Sequence, residues 1–186
     1  MAIPWNSNVK AAGQLTVYDA LTSGNWVHIF KIALQLFNGL GLPVKMTQAK
    51  DEESANVVMK VSTVDGKRLH GNTQLFHAQG GPLEKAVVVL PNDPQSSAGF
   101  IRGKEVVERA SLDMMKVIAV HELIHACGLE NNDHATDDGV FYFPLAPSGT
   151  GKLIVPAQGK NDRPMPPLRL AQSTVGKVAS LWQRLK

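Results

Sequence analysis

Hydrophobic residues along this chain follow two spacings, one typical of strands and one typical of helices. Alternation over residues 15–19 predicts a first strand, and short apolar runs predict further strands at residues 44–47, 56–62 and 86–90. Between the first two, an amphipathic helix is predicted over residues 26–37. Its apolar positions are 26, 29, 30, 33, 34 and 37. Glycines and Pro43 follow this helix and end it.

The pattern of the remaining chain is more varied. Residues 73–78 indicate a fourth strand or an irregular connection, followed by the breaker Gly80-Gly81-Pro82. A long apolar helix is predicted over residues 111–127, with an earlier start near Lys104 as the alternative. After residue 134 the chain becomes irregular, with a possible hairpin of residues 140–143 and 152–155. A C-terminal helix is predicted over residues 168–185.

Composition favours one globular domain. The chain has 186 residues, of which 44% are hydrophobic and 19% charged, which is enough for one sizeable core. Its net charge is +3, but the basic residues form no stripe with interleaved aromatics, so no nucleic-acid partner is expected. The longest apolar region, residues 26–42, is too short and too often interrupted to span a membrane. We expect a monomer.

Two features bear on the compartment without deciding it. The N-terminus lacks a basic region followed by an apolar run, so no signal peptide is expected. Cys127 is the single cysteine, which excludes an internal disulfide and fits a reducing compartment. We expect Cys127 to be a small buried residue rather than a regulator.

The long apolar helix carries the segment His121-Glu122-Leu123-Ile124-His125, followed by Gly128 and His134. Residues four apart lie on one face of a helix, so His121 and His125 can present two imidazoles to one Zn²⁺. Glu122 is placed to act as a general base on a zinc-activated water. Gly128 can turn the chain back, so that His134 supplies a third ligand and a fourth position stays open for water.

This motif also occurs by chance on the solvated faces of helices. Here the residues before and between the motif positions are apolar, so the helix is predicted to be buried. Buried imidazoles and a buried carboxylate cost free energy unless they have partners, and a metal ion is the simplest partner.

The motif of His121, Glu122, His125 and Gly128, with a downstream histidine, resembles that of the metzincin clan of zinc metallopeptidases. Within the clan, the order of predicted elements is most similar to the matrixin-like catalytic domain. The clan places its third histidine three residues after the glycine, which here is Asn131. His134 is therefore our predicted third ligand and Asp133 the alternative.

The resemblance implies an α+β, zincin-like fold for residues 1–186. The upper subdomain, up to about residue 128, would hold a twisted, mostly parallel sheet and two helices. The lower one, from about residue 129, would be irregular with a C-terminal helix. In the clan an edge strand binds extended substrate, and either the region around Leu75 or residues 86–90 fits that role here.

The resemblance carries three weaker expectations. Met165 is placed to form the methionine turn found below the zinc in this clan. The tyrosine that follows this turn in some members is replaced by Pro166-Pro167, and Tyr142 is a weak substitute. His70 and His77 lie where related domains carry a structural zinc, but no matching ligand set accompanies them, so we expect no second metal site.

The leading functional prediction is a zinc-dependent endopeptidase that acts on protein or peptide substrates. Two alternatives remain open. One is a zincin-fold binding or structural protein that holds zinc without cleaving, which the displaced third histidine favours. The other is a zinc hydrolase of a non-peptide amide, which a closed pocket would favour over an open strand edge.

Overall fold

The computed structural model describes residues 2–22, 24–63, 67–68, 71–102, 104–130, 133 and 168–183. Within these residues the fold is α+β, with a mostly parallel mixed sheet and four helices. The elements in chain order are α1 Ser7–Ala12, β1 Gln14–Ala20, α2 Asn25–Asn38, β2 Lys45–Gln48, β3 Val57–Val61, β4 Lys67–Arg68, β5 Asn72–His77, β6 Leu83–Leu90, β7 Asp93–Ile101, β8 Lys104–Arg109, α3 Leu112–His125 and α4 Gln172–Leu181.

The main sheet has five strands in the order β2-β1-β3-β6-β5. The first four are parallel, whereas β5 runs antiparallel to β6, with Thr73 opposite Val88 and Leu75 opposite Ala86. The segment predicted at residues 73–78 is therefore a strand, covering Asn72–His77, and it is one of the two outer strands of this sheet. The segment 86–90 lies inside the sheet, between β3 and β5, so it is not the edge strand.

The core lies on one face of this sheet. Alternate residues of adjacent strands, including Val17, Met59 and Val88, are fully buried there. The two long helices, α2 and α3, pack against each other and against the same core. Along β1 and β6 the residues between the buried positions, such as Tyr18 and Val87, are only partly buried, so strand alternation places one set of side chains of each strand on the helix-covered face.

The predicted motif helix is confirmed, and its start is well defined. The Ser111 side chain accepts a hydrogen bond from the backbone N–H of Met114 at 3.2 Å, which caps the first turn. The alternative start near Lys104 is wrong, because residues 104–109 form β8 and pair with β7 in an antiparallel hairpin. The helix predicted over residues 26–37 is confirmed as α2, which is one residue longer than predicted at each end.

The C-terminal helix is confirmed but shorter than predicted. It begins at Gln172 rather than residue 168, and it ends at Leu181. Leu170, which precedes the helix, is buried in the hydrophobic core, as are Val178 and Trp182. The predicted hairpin of residues 140–143 and 152–155 lies outside the described residues, as does most of the predicted lower subdomain.

In the described part of the chain, no helix combines the length and the apolar character needed to cross a membrane.

Candidate metal centre

The last two turns of α3 bring polar side chains into an apolar interior. Glu122 is 4% exposed and His125 is 2% exposed, while His121 is half-buried. Leu123 and Ile124 between them are fully buried in the core. The prediction that this helix is buried is therefore confirmed, and the polar groups that it carries need partners.

The two predicted histidine ligands point their Nε2 atoms at each other. These atoms lie 3.0 Å apart, and the ring centroids are separated by 4.8 Å. Two imidazole nitrogens bound to one tetrahedral zinc ion at ordinary Zn–N lengths would lie about 3.3 Å apart. The His121 and His125 side chains therefore need to separate by only about 0.3 Å to bind one ion.

The other ring nitrogen of His125 has a partner that fixes the imidazole. Its Nδ1 lies 2.8 Å from the carbonyl oxygen of Leu129, which can only accept a hydrogen bond. The proton therefore belongs on Nδ1, and the lone pair of Nε2 is turned toward His121. Metal-binding histidines typically have this arrangement, in which the second nitrogen donates to a carbonyl and sets the tautomer.

Gly128 makes the turn that returns the chain to His125. Its φ is +109°, and a Cβ at this position would collide with the carbonyl oxygen of Ile3. The backbone N–H of Ile3 donates to the Gly128 carbonyl at 2.9 Å. The glycine predicted from the motif is thus required both by its conformation and by the close approach of the N-terminal segment.

Two tryptophans complete this turn, and sequence reasoning did not identify either. The Trp5 indole donates to the carbonyl of Ala126 at 2.9 Å, and the Trp182 indole donates to the carbonyl of Cys127 at 3.1 Å. Both bonds are buried and satisfy carbonyl groups that a helix end leaves unpaired. Segments near the two ends of the chain therefore hold the loop that positions Leu129.

Glu122 packs against the start of β5. Its Oε2 lies 2.8 Å from the hydroxyl oxygen of Thr73, and its backbone carbonyl accepts from the same hydroxyl at 3.0 Å. A Cβ on Gly71 would lie 2.6 Å from Glu122 Cγ, so the strand fits closely over the side chain. Burial raises the pKa of the Glu122 carboxyl from 4.5 to about 7, although the Thr73 hydrogen bond opposes this shift.

The third ligand is not settled by the described residues. His134 lies outside them. Asp133 is included, and its Oδ2 accepts a hydrogen bond from the backbone N–H of Glu130 at 2.9 Å. Among the described histidines, cysteines and acids, no group of three is arranged to hold a metal ion, so Asp133 does not complete the pair of His121 and His125.

The remaining candidate residues divide into those outside the described residues and those within them. Met165, Tyr142 and His70 lie outside the described residues. His77 is exposed, with its Nδ1 2.9 Å from the carbonyl oxygen of Ala78. Cys127 is fully buried, as expected, and burial raises the pKa of its thiol far above the ordinary value, which makes it unreactive.

Comparison of the sequence with models of known protein families gives no match, and comparison with curated proteins gives none either.

Proposed function

We propose that this protein is a zinc-dependent endopeptidase. The observation that carries the proposal is the approach of His121 Nε2 to His125 Nε2 within 3.0 Å, on a buried helix whose second histidine is oriented through Leu129. Two converging imidazoles beside a buried carboxyl group cost desolvation free energy, which a purely structural core would avoid with apolar residues. The chemistry of these donors fits Zn²⁺.

His121, His125 and His134 would hold the ion, with His134 taken from the sequence motif. A zinc ion in such a site supplies Lewis acidity, which activates water and polarises a carbonyl group. Glu122 would accept a proton from the attacking water and deliver it to the leaving amine of the substrate. The buried position of Glu122 next to the histidine pair supports this role, because it places the carboxyl group beside the proposed ion.

A peptide substrate is supported by the position of β5. This strand is an outer strand of the main sheet, and its residue Thr73 contacts Glu122. An extended peptide can add to such an edge through backbone hydrogen bonds, which would bring its carbonyl groups past the general base.

A second candidate is a zinc-binding protein of the same fold that does not cleave peptides. One observation favours it: the position of the clan's third histidine is occupied here by Asn131. The carboxyl group of Glu122 beside the histidine pair argues for the enzyme, since a site that only binds metal needs no general base.

The test combines zinc analysis with a cleavage assay on the wild type and on Glu122→Gln. We expect about one zinc ion per chain in both proteins. The wild type should cleave an unstructured protein such as casein, and a chelator should stop it. The variant should lose about 10²- to 10⁴-fold in kcat, which is the usual contribution of a general base.

Each other outcome has a definite meaning. Zinc without cleavage by the wild type would support the non-catalytic candidate. Protein without zinc, or cleavage that continues in the presence of chelator, would contradict the proposal. Full activity of Glu122→Gln would remove Glu122 as the base.

A further inference from the structure

Two residues, one just before β5 and one within it, form a cradle for the proposed general base. Gly71 and Thr73 are two positions apart, and both approach the Glu122 side chain. Gly71 comes so close that no side chain fits between its backbone and the Glu122 Cγ. Thr73 supplies the polar contact to the carboxyl group. The backbone at Gly71 and the side chain of Thr73 therefore both contact this one glutamate.

The Thr73 hydroxyl group bridges two oxygens of the same residue. Its oxygen is 2.8 Å from Glu122 Oε2 and 3.0 Å from the Glu122 carbonyl oxygen. The carbonyl oxygen also accepts the helical bond from Ala126 at 3.0 Å, so its place in α3 is fixed. The single hydroxyl hydrogen is shared between this carbonyl oxygen and Oε2, so Thr73 links the carboxyl group to a fixed point on the helix backbone.

This contact matters because a glutamate side chain has three rotatable bonds. A misplacement of about 1 Å at a reacting group can cost on the order of 10²-fold in rate. The rest of the cradle is apolar or backbone, so the hydroxyl of Thr73 is the polar side-chain group found on the Glu122 carboxyl in the described residues.

We infer that Thr73 is a positioning residue for Glu122, and that its hydroxyl group keeps the carboxyl group of the general base in its working orientation. The inference rests on the proposed function. It assigns to β5 a role separate from binding a substrate, because Thr73 acts through Glu122 and not through a contact with the peptide.

The test compares Thr73→Val with Thr73→Ser. Valine has the shape of threonine and suits a strand, but it lacks the hydroxyl group, whereas serine keeps the hydroxyl and loses the methyl group. We expect Thr73→Val to lower kcat about 10- to 100-fold, as for loss of a hydrogen bond to a charged group. KM and zinc content should stay near the wild-type values, and Thr73→Ser should restore kcat to within about 3-fold.

The inference is overturned if both variants match the wild type in kcat, or if Thr73→Ser is impaired as much as Thr73→Val. It is also overturned if the loss appears in KM or in zinc content, since either would indicate a role in substrate binding or in the fold. If the valine variant does not fold, Thr73→Ala replaces it against the same serine control.

These results are separable from failure of the proposed function. A wild type that binds zinc but cleaves nothing refutes the endopeptidase and this inference together. An active wild type whose Glu122→Gln variant is inactive, but whose Thr73→Val variant is unimpaired, refutes the inference alone.

Discussion

Helices α2 and α3 have the same length and belong to the same core, but they differ in what they bury. Each has 14 residues, and they pack against each other on the same face of the main sheet. All six buried residues of α2 are apolar, and its other side is largely exposed. By contrast, α3 buries Glu122 and His125 together with six apolar residues.

The difference separates a structural helix from the helix for which we propose a chemical role. An apolar side chain stabilises the core wherever it is buried, whereas a buried polar group only offsets its own desolvation when it finds a partner. His125 is bonded to Leu129, and Glu122 is bonded to Thr73. An alanine or leucine at these positions would need neither contact, so stability alone does not account for the two polar residues.

The largest expected effect is on the free energy of unfolding, and it tests the structural role of α2. Phe30 of α2 is fully buried, and Phe30→Ala should lower the free energy of unfolding by about 3–5 kcal/mol. The folded variant should still bind about one zinc per chain, because Phe30 belongs to the core and not to the proposed centre. Chemical denaturation and zinc analysis measure the two quantities.

The matched control is Ile32→Gln on the same helix. Ile32 is 37% exposed, so the change should alter the free energy of unfolding by no more than about 0.5 kcal/mol. Loss of zinc from folded Phe30→Ala, or a large destabilisation by Ile32→Gln, would contradict the difference in role that we assign to the two helices.

A smaller expected effect concerns the ligand that α3 does not supply. His134→Ala should weaken zinc binding by roughly 10²-fold or more. Losing a residue that only supports a ligand costs about 10- to 100-fold, and losing the ligand itself should cost more. Asp133→Ala should leave the affinity near that of the wild type, because the Asp133 carboxylate is bonded to Glu130. Competition with a chromogenic chelator gives both affinities.

The opposite ranking, with Asp133→Ala losing zinc and His134→Ala retaining it, would assign the third ligand to Asp133. Unchanged affinity in both variants would mean that α3 holds the ion with a ligand from elsewhere.

Periodicity predicted the elements that contribute to the core. The apolar spacing from Trp26 and the apolar runs before Leu90 gave α2, β3 and β6 within a few residues. The hairpin of β7 and β8 was missed, since residues 93–99 are rich in small and polar side chains and lack the alternation of a half-buried strand. Helix α1 was missed because it has six residues, none of them buried, and is recognised chiefly by its Asn6 cap.

The candidate site was predictable only where it is local in sequence. His121, Glu122, His125 and Gly128 lie within eight residues, so helix geometry alone places them relative to one another. Contacts over long sequence separations leave no such signal. Thr73 is 49 residues from Glu122, and Trp5 is 121 residues from Ala126. The antiparallel direction of β5, which turns Thr73 toward the base, is likewise set by tertiary pairing.

The most direct test of the central claim is anomalous diffraction from crystals of the wild-type protein, measured on both sides of the zinc absorption edge. We predict one strong zinc peak located about 2.0–2.1 Å from Nε2 of both His121 and His125. A peak bound elsewhere in zinc-loaded crystals, or no peak at all, would contradict the proposal that α3 carries a zinc centre.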